Sequence, residues 1–169
     1  MADPRDLLEL AVAAATGAAD LLRTSRPDPE AIVTKSSSTD LVTDLDRAAE
    51  ARIIDVLLGA RPDDGVFGEE GGRRTGSSGV RWIIDPLDGT TNYVYGYPVY
   101  AVSIAAEADG AVVAGTVVDI TRSERYTAAL GHGAHLDGDA LHVSAATDLA
   151  KALLGTGFSY DAATRAAQA

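Results

Sequence analysis

The chain has 169 residues and a hydrophobic fraction of 46%, which suit one globular domain of ordinary size. It contains no cysteine, and this excludes disulfide bonds, thiolate zinc sites and cysteine nucleophiles. Its formal net charge of -11 disfavours nucleic acid and anionic membranes as partners. A surface this acidic also repels phosphorylated substrates, unless bound cations reverse the charge of the site.

The sequence also lacks the long apolar segments that membranes require. No run of about 18 apolar residues occurs, so no membrane span is predicted. The first segment has neither a basic leader nor an unbroken apolar stretch, and we therefore expect no secretory signal. Together with the lack of cysteine, these features predict a cytoplasmic protein.

The spacing of apolar residues predicts two helices in the first third of the chain. The first covers residues 5–24, with one buried face formed by Leu7, Ala11, Ala14, Ala18 and Leu21. The second begins near Thr43, which suits an N-cap, and ends at Gly59 and Pro62. Its predicted buried stripe consists of Ala49, Ile53, Val56 and Leu57.

The rest of the chain is predicted to form mainly strands. Residues 32–42, rich in Ser and Thr, suit a strand or one arm of a hairpin. Residues 100–106 and 112–118 flank Ala108-Asp109-Gly110, a turn sequence typical of a hairpin. Further strands are predicted at residues 80–85, 125–129, 134–143 (with a turn at Asp137-Gly138) and 151–155, and a last helix opens at residue 161. This order predicts an α+β domain in which helices cover a largely antiparallel sheet.

Three acidic clusters carry the candidate chemistry, at residues 40–46, 68–72 and 82–92. In the third, an apolar strand is predicted to end at Asp85, where Pro86 forces a turn. Asp88 follows three residues later, so that one turn can aim both carboxylates and the Leu87 carbonyl at a common point. Such oxygens are the ligands of a hard divalent ion such as Mg²⁺. Taken alone, the same pattern also fits a capped turn with solvated acids.

The order of the clusters resembles the inositol monophosphatase family. The sequence D-P-L-D-G-T-T-N at residues 85–92, preceded by W-I-I, is similar to the signature of that family. G-E-E at residues 68–70 and K-S-S-S-T-D-L-V-T-D-L-D at residues 35–46 are similar to its upstream motifs. Residues 133–138 and 157–161 also match related segments, so the resemblance covers nearly the whole chain.

This resemblance implies a fold. The chain would form the N-terminal part of a layered αβαβα sandwich, as a single domain over residues 1–169 with the C-terminal part absent. Members of the family carry a later W-D-x-A-A-G motif, whose Asp is a ligand of the second metal. Here the only tryptophan is Trp82, so this motif is missing. The chain is expected to be either a fragment of a longer enzyme or a natural truncation with a weak second metal site.

The resemblance also implies the metal ligands. Glu69, Asp85 and the carbonyl of Leu87 would hold a first Mg²⁺ ion, and Asp85 would bridge to a second that Asp88 also binds. The family site holds two or three Mg²⁺ ions. These cations would offset the repulsion between the carboxylates and attract the phosphate.

The remaining roles are implied in the same way. Thr90, hydrogen-bonded to Asp46, would orient the attacking water, and together with Glu69 these form the predicted catalytic set. Asp88 and the N–H groups of Gly89 and Thr90 would contact the phosphate. The predicted outer residues of the site are Lys35 on a nearby loop, Glu70 and Thr91.

The reaction implied is Mg²⁺-dependent hydrolysis of a phosphate monoester, with inositol monophosphate as the substrate. Lithium inhibition and a homodimer are implied as well, with no nucleic acid or membrane partner. The resemblance also allows other substrates on which relatives act, namely histidinol phosphate, fructose bisphosphate and 3′-phosphoadenosine phosphates. A different class of function is a non-catalytic binding or scaffold protein that keeps the fold.

Histidines and tyrosines near these motifs are assigned no chemistry. His132 and His135 are expected to be surface or turn residues rather than zinc ligands, because a metal site needs more convergent ligands. The aromatic residues predicted to pack near the mouth of the site are Tyr93, Tyr95, Tyr97 and Tyr100.

Overall fold

The computed structural model describes residues 2–25, 33–34, 41–153, 155–159 and 161–168. Its α-helices are α1 (Pro4–Thr24), α2 (Asp44–Ala60), α3 (Thr90–Tyr95) and α4 (Ala162–Gln168), with a 3-10 helix at Leu149–Lys151. Its strands are β1 (Val33–Thr34), β2 (Leu41–Val42), β3 (Gly65–Gly68), β4 (Arg73–Arg74), β5 (Val80–Asp88), β6 (Ala101–Ala108), β7 (Ala111–Asp119), β8 (Glu124–Ala129), β9 (Gly133–Leu136) and β10 (Asp139–Ala140).

Strands β3 to β10 form one twisted sheet in the order β10-β9-β8-β7-β6-β5-β3-β4. Neighbouring strands are antiparallel, except that β3 lies parallel to β5. The predicted hairpin between β6 and β7 is confirmed, and its turn residues Asp109 and Gly110 both have positive φ, as a type I′ turn requires. β1 and β2 form a separate antiparallel pair. The predicted α+β class with a mainly antiparallel sheet is confirmed.

Helices α1 and α2 pack against each other on one face of the sheet. Small residues of α1, including Ala14 and Ala18, are fully buried and allow the close approach of its neighbours. In β6 alternate residues such as Val102 and Ile104 point into this core, while Ser103 and the others between them face the opposite side. Within the described residues, none of the helices has the length and apolar character that a membrane crossing requires.

Both long helices begin at side-chain caps that the sequence encodes. The carboxylate of Asp3 accepts the Arg5 N–H at 2.9 Å, and Pro4 takes the first helical position. At the start of α2, Thr43 and Asp46 form a capping box, in which the side chain of each residue accepts a hydrogen bond from the backbone N–H of the other. The predicted N-cap at Thr43 is therefore confirmed.

A buried carboxylate ties the end of α2 to the centre of the sheet. Asp64 is 1% exposed and accepts hydrogen bonds from the Trp82 Nε1–H at 2.9 Å and the Ser78 hydroxyl at 2.6 Å. Arg61 pairs with the same carboxylate at 2.6 Å. Burial of the large Trp82 ring in the core therefore depends on an acceptor that satisfies its only polar atom.

Several sequence predictions about local structure are wrong. Residues 151–155 form no strand in the described part of the chain, because no neighbouring strand offers a hydrogen-bonding partner there. Pro86 does not end its strand: β5 continues to Asp88, with a shift in register after Asp85. In α1 the buried residue is Leu22, whereas Leu21 is only half-buried. The short strands β3 and β4 were not predicted at all.

Replacing Asp64 by alanine is expected to lower the free energy of unfolding by about 2–3 kcal/mol, because the Trp82 N–H and the Arg61 guanidinium would lose their buried acceptor. Urea unfolding followed by circular dichroism measures this change. The exposed neighbour Asp63 provides the control, and Asp63→Ala is expected to change stability by less than about 0.5 kcal/mol. Equal effects of the two substitutions would contradict the role given to Asp64.

Candidate active site

The three acidic segments approach one end of the sheet. β3 lies parallel to β5 with Gly68 opposite Ile84, so both strands deliver their following residues to the same edge. The Glu69 N–H donates to the Ile84 carbonyl at 3.1 Å, which places Glu69 beside Asp85. Asp46, in the first turn of α2, contacts the residues that follow β5.

Asp85 and Glu69 form a carboxyl pair in which their side chains are hydrogen-bonded. Burial raises the pKa of the Asp85 carboxyl to about 7, with further contributions from Glu69 and from the charge of Asp88. The Leu87 N–H, which donates to Asp85 Oδ1 at 3.2 Å, acts in the opposite direction. The pair therefore retains a proton at a pH where separate carboxyls would be ionised.

The backbone between Asp85 and Asp88 is irregular, and this shapes the site. Pro86 and Leu87 are buried, and the Leu87 carbonyl accepts a hydrogen bond from the Thr90 hydroxyl at 3.0 Å. Gly89 adopts a φ of +89°, and a Cβ there would lie 2.8 Å from the Val99 carbonyl oxygen. Only glycine therefore fits at this position, where the chain turns from β5 into α3.

Thr90 links the end of β5 to α2. Its hydroxyl lies 2.9 Å from Asp46 Oδ1 as well as 3.0 Å from the Leu87 carbonyl, and its single proton serves one acceptor at a time. Asp46 is 1% exposed, and its other oxygen accepts from the N–H and hydroxyl of Thr43 at 2.8 and 2.5 Å. The capping box of α2 thus holds Asp46 in the orientation that meets Thr90.

The oxygen atoms at this edge suit a hard divalent cation in their chemistry. In the folded chain a proton on the Glu69–Asp85 pair offsets part of the charge that a cation would otherwise neutralise. Among the residues that the structure describes, however, no group of three or more His, Asp or Glu side chains lies close enough to hold a metal ion. The structure brings Glu69 and Asp85 together, and Asp88 is an exposed neighbour whose charge acts on them.

The outer residues of the predicted site divide into three cases. Lys35 lies outside the described residues. Thr91 is half-buried in the first turn of α3. Glu70 is tied to α2 by its backbone, because its N–H donates to the Glu50 carboxylate at 2.8 Å. The metal, phosphate and catalytic roles predicted for the site residues remain predictions.

Glu50 was missed by the sequence analysis. Its side chain is 5% exposed and accepts N–H bonds from Glu70 and Gly72, both at 2.8 Å. Its position four residues after Asp46, on the same face of α2, is the signal that could have identified it.

The tyrosines follow the prediction in part. Tyr93 is buried, donates to the Leu22 carbonyl at 3.0 Å and packs edge-on against Tyr100 at 5.0 Å between ring centres. Tyr95 and Tyr97 are 79% and 60% exposed, so the prediction that they are packing residues is wrong. Tyr95 is the last residue of α3 and Tyr97 follows the helix, both on the surface of the described part of the chain.

Comparison with known proteins identifies the relatives of this chain. The model of the inositol monophosphatase family matches residues 3–169. The chain belongs to the inositol monophosphatase family. The predicted fold is confirmed by this match and by structural similarity: a solved structure titled Mycobacterium tuberculosis SuhB superimposes with a TM-score of 0.81 at 40% identity, covering 99% of this chain and 64% of that one.

Curated relatives of this inositol monophosphatase family member carry two kinds of name. A protein of Mycobacterium leprae named inositol-1-monophosphatase is 42% identical, over 99% of this chain and 64% of its own length. A protein of Pseudomonas aeruginosa named Nus factor SuhB is 43% identical, over 91% of this chain and 58% of its own length. The chain thus spans less than two thirds of the length of these relatives.

The raised pKa of Asp85 predicts how the stability of the metal-free chain depends on pH. An ordinary Asp carboxyl titrates near 3.8 and folded Asp85 near 7, so between these values the folded state binds a proton that the unfolded state has lost. The free energy of unfolding therefore falls as pH rises from 3.8 to about 7, and this contribution is constant above that range.

Asp85→Asn is expected to remove this contribution, since asparagine does not titrate. Thermal unfolding in EDTA, recorded as Tm against pH, measures the difference between the two proteins. Asp55→Asn, an exposed substitution on α2 with the same charge change, is the control and is expected to keep the slope of the parent chain. An Asp85→Asn variant with that same slope would show that Asp85 titrates as an ordinary carboxyl.

Proposed function

We propose that this chain supplies the metal- and phosphate-binding part of a Mg²⁺-dependent phosphomonoesterase, with inositol monophosphate as the substrate. The observation that carries the proposal is the hydrogen-bonded Glu69–Asp85 pair at the same edge of the sheet as the Thr90–Asp46 contact. The names of relatives such as the inositol-1-monophosphatase of Mycobacterium leprae support this choice of substrate.

Glu69, Asp85 and the Leu87 carbonyl would hold a first Mg²⁺ ion, and Asp88, whose charge acts on the pair, would help to hold a second. When bound, these ions supply positive charge that attracts the phosphate and makes a water more acidic. Their binding requires the Glu69–Asp85 pair to release its proton. The pair would therefore be fully available to the cations only above the pKa of about 7 that Asp85 has in the metal-free chain.

Thr90 and Asp46 would orient the attacking water. When the Thr90 hydroxyl donates to Asp46 Oδ1, its lone pairs can accept a hydrogen bond from a water on the open side of the site. Asp46 is anchored by two bonds from Thr43, so it stays in place while the hydroxyl changes partners. The arrangement provides a route for a proton from the water through Thr90 to the Asp46 carboxylate.

The turn at Gly89 would place the phosphate. Its positive φ, which glycine adopts without strain, turns the chain from β5 into α3, and the backbone N–H groups of Gly89 and Thr90 at this turn would contact the phosphate. Asp88, exposed at the end of β5, would help to bind the phosphate at the same place. A homodimer, lithium sensitivity and a cytoplasmic location belong to the same proposal.

A second candidate function is a binding role without catalysis. Relatives of Pseudomonas aeruginosa and Escherichia coli that are 43% and 41% identical to this chain are named Nus factor SuhB. In this second candidate function the chain keeps the fold, and the Glu69–Asp85 pair takes part in no catalytic reaction.

Thr90→Val is expected to lower the rate of phosphate release from inositol 1-phosphate by about a hundredfold or more, because the hydroxyl that orients the water is lost. Asp85→Asn is expected to abolish release altogether. The measurement is phosphate release in Mg²⁺, with EDTA as the blank.

Thr16→Val is the matched control, since Thr16 is exposed on α1 and is not one of the proposed site residues, and the rate of this variant is expected to equal that of the parent chain. Full activity in Thr90→Val or in Asp85→Asn overturns the assigned roles. If the parent chain binds Mn²⁺ but releases no phosphate, the result favours the binding role.

A further inference from the structure

Glu50 is a buried carboxylate for which the proposed chemistry gives no role. It lies in α2 one turn after Asp46, and 5% of its surface is exposed. Among the described residues, no arginine, lysine or histidine forms an ion pair with it. A charge in such a position is costly unless specific donors compensate it.

The donors that compensate Glu50 come from one loop, which joins β3 to β4. The N–H of Glu70 donates to Oε2 and the N–H of Gly72 donates to Oε1, both at 2.8 Å. The loop closes on itself through the Gly68 N–H, which donates to the Gly72 carbonyl at 2.6 Å. Both oxygens of Glu50 are therefore used to hold the segment that contains Glu69.

The glycines of this loop fit around the Glu50 carboxylate. A Cβ at Gly68 would collide with Glu50 Oε2. A Cβ at Gly72 would lie 2.8 Å from Glu50 Oε1 and 2.6 Å from Ile54 Cδ1. The carboxylate thus occupies space that a side chain at Gly68 or at Gly72 would need, and Glu69 lies between these two glycines.

We infer that Glu50 is a positioning residue for Glu69: its carboxylate fixes the backbone of the 68–72 loop so that the Glu69 side chain stays beside Asp85. This inference rests on the proposed function, in which Glu69 is a metal ligand. Two neighbouring carboxylates of α2 then have parallel tasks, because Asp46 holds Thr90 and Glu50 holds the loop of Glu69.

The charge of Glu50 is important for this role. A carboxylate presents an acceptor to each of the two N–H groups, whereas the amide of glutamine presents one acceptor and one donor. Glu50→Gln therefore preserves size and helix propensity but leaves one loop N–H facing another N–H. The loop is expected to loosen while α2 stays folded.

Glu50→Gln, tested in the full 169-residue chain, is expected to raise the dissociation constant for Mn²⁺ by about tenfold to a hundredfold, as is typical when a support of a metal ligand is lost. Mn²⁺ binding is measured by electron paramagnetic resonance. Excess Mg²⁺ is expected to restore the catalytic rate of the variant with little change in KM for inositol 1-phosphate. Glu9→Gln, an exposed site on α1 with the same change of charge, is the control and is expected to bind Mn²⁺ like the parent chain.

A second measurement is independent of metal and of activity. Amide hydrogen exchange at Glu70 and Gly72 is expected to accelerate in Glu50→Gln, while amides in the middle of α2 keep their protection. A folded Glu50→Gln variant with unchanged Mn²⁺ affinity overturns the inference. If the parent chain itself binds no Mn²⁺, the proposed function fails. In that case, unchanged amide exchange at Glu70 and Gly72 in Glu50→Gln would show separately that Glu50 does not fix the backbone of the loop.

Discussion

The parallel pairing of β3 with β5 is the constraint on which the site depends. In a sheet whose other neighbours are antiparallel, this one pair sends two chain segments out at the same edge. Glu69 and Asp85 therefore become neighbours although 16 positions separate them in the sequence. An antiparallel β3 would place Glu69 at the far end of β5. The direction of β3 relative to β5, rather than the acidic residues themselves, creates the candidate site.

Bringing several carboxylates to one edge costs electrostatic energy, and the chain offsets this cost differently for each group. Asp46 and Glu50 receive fixed donors from Thr43 and from the 68–72 loop. Asp85 receives one N–H, from Leu87, and its pKa rises as a result of burial and of its acidic neighbours. The protein thus supplies fixed hydrogen-bond donors to the carboxylates of Asp46 and Glu50. The negative charge of the Glu69–Asp85 pair is offset instead by a proton or by a cation.

The sequence was sufficient to predict the features that depend on local patterns. The two long helices follow from their apolar spacing and their caps, and the β6–β7 hairpin follows from its Asp109-Gly110 turn. The D-P-L-D-G-T-T-N motif also located the segment that lies at the carboxyl end of β5.

The features that the sequence did not predict depend on tertiary partners. β3 has four residues, too few for a clear alternation, and its direction is set by pairing with β5. Residues 151–155 have strand-like composition but no neighbouring strand in the described chain. Glu50 resembled any solvated helix acid, because only the fold places two loop N–H groups over it.

The open face of the sheet determines from which side the site can be completed. Alternation along β5 turns Trp82 and Ile84 toward the helices, and Ile83 and Asp85 toward the other face. Since α1 and α2 fill the first side, Asp85 is accessible from the second. That side carries a shallow groove of about 870 Å³, and Ser103 and Ala105 of β6 are among the residues that line it. The helices therefore fix the geometry of the carboxylates from one side of the sheet, while the opposite side of β5 is the one on which Asp85 lies.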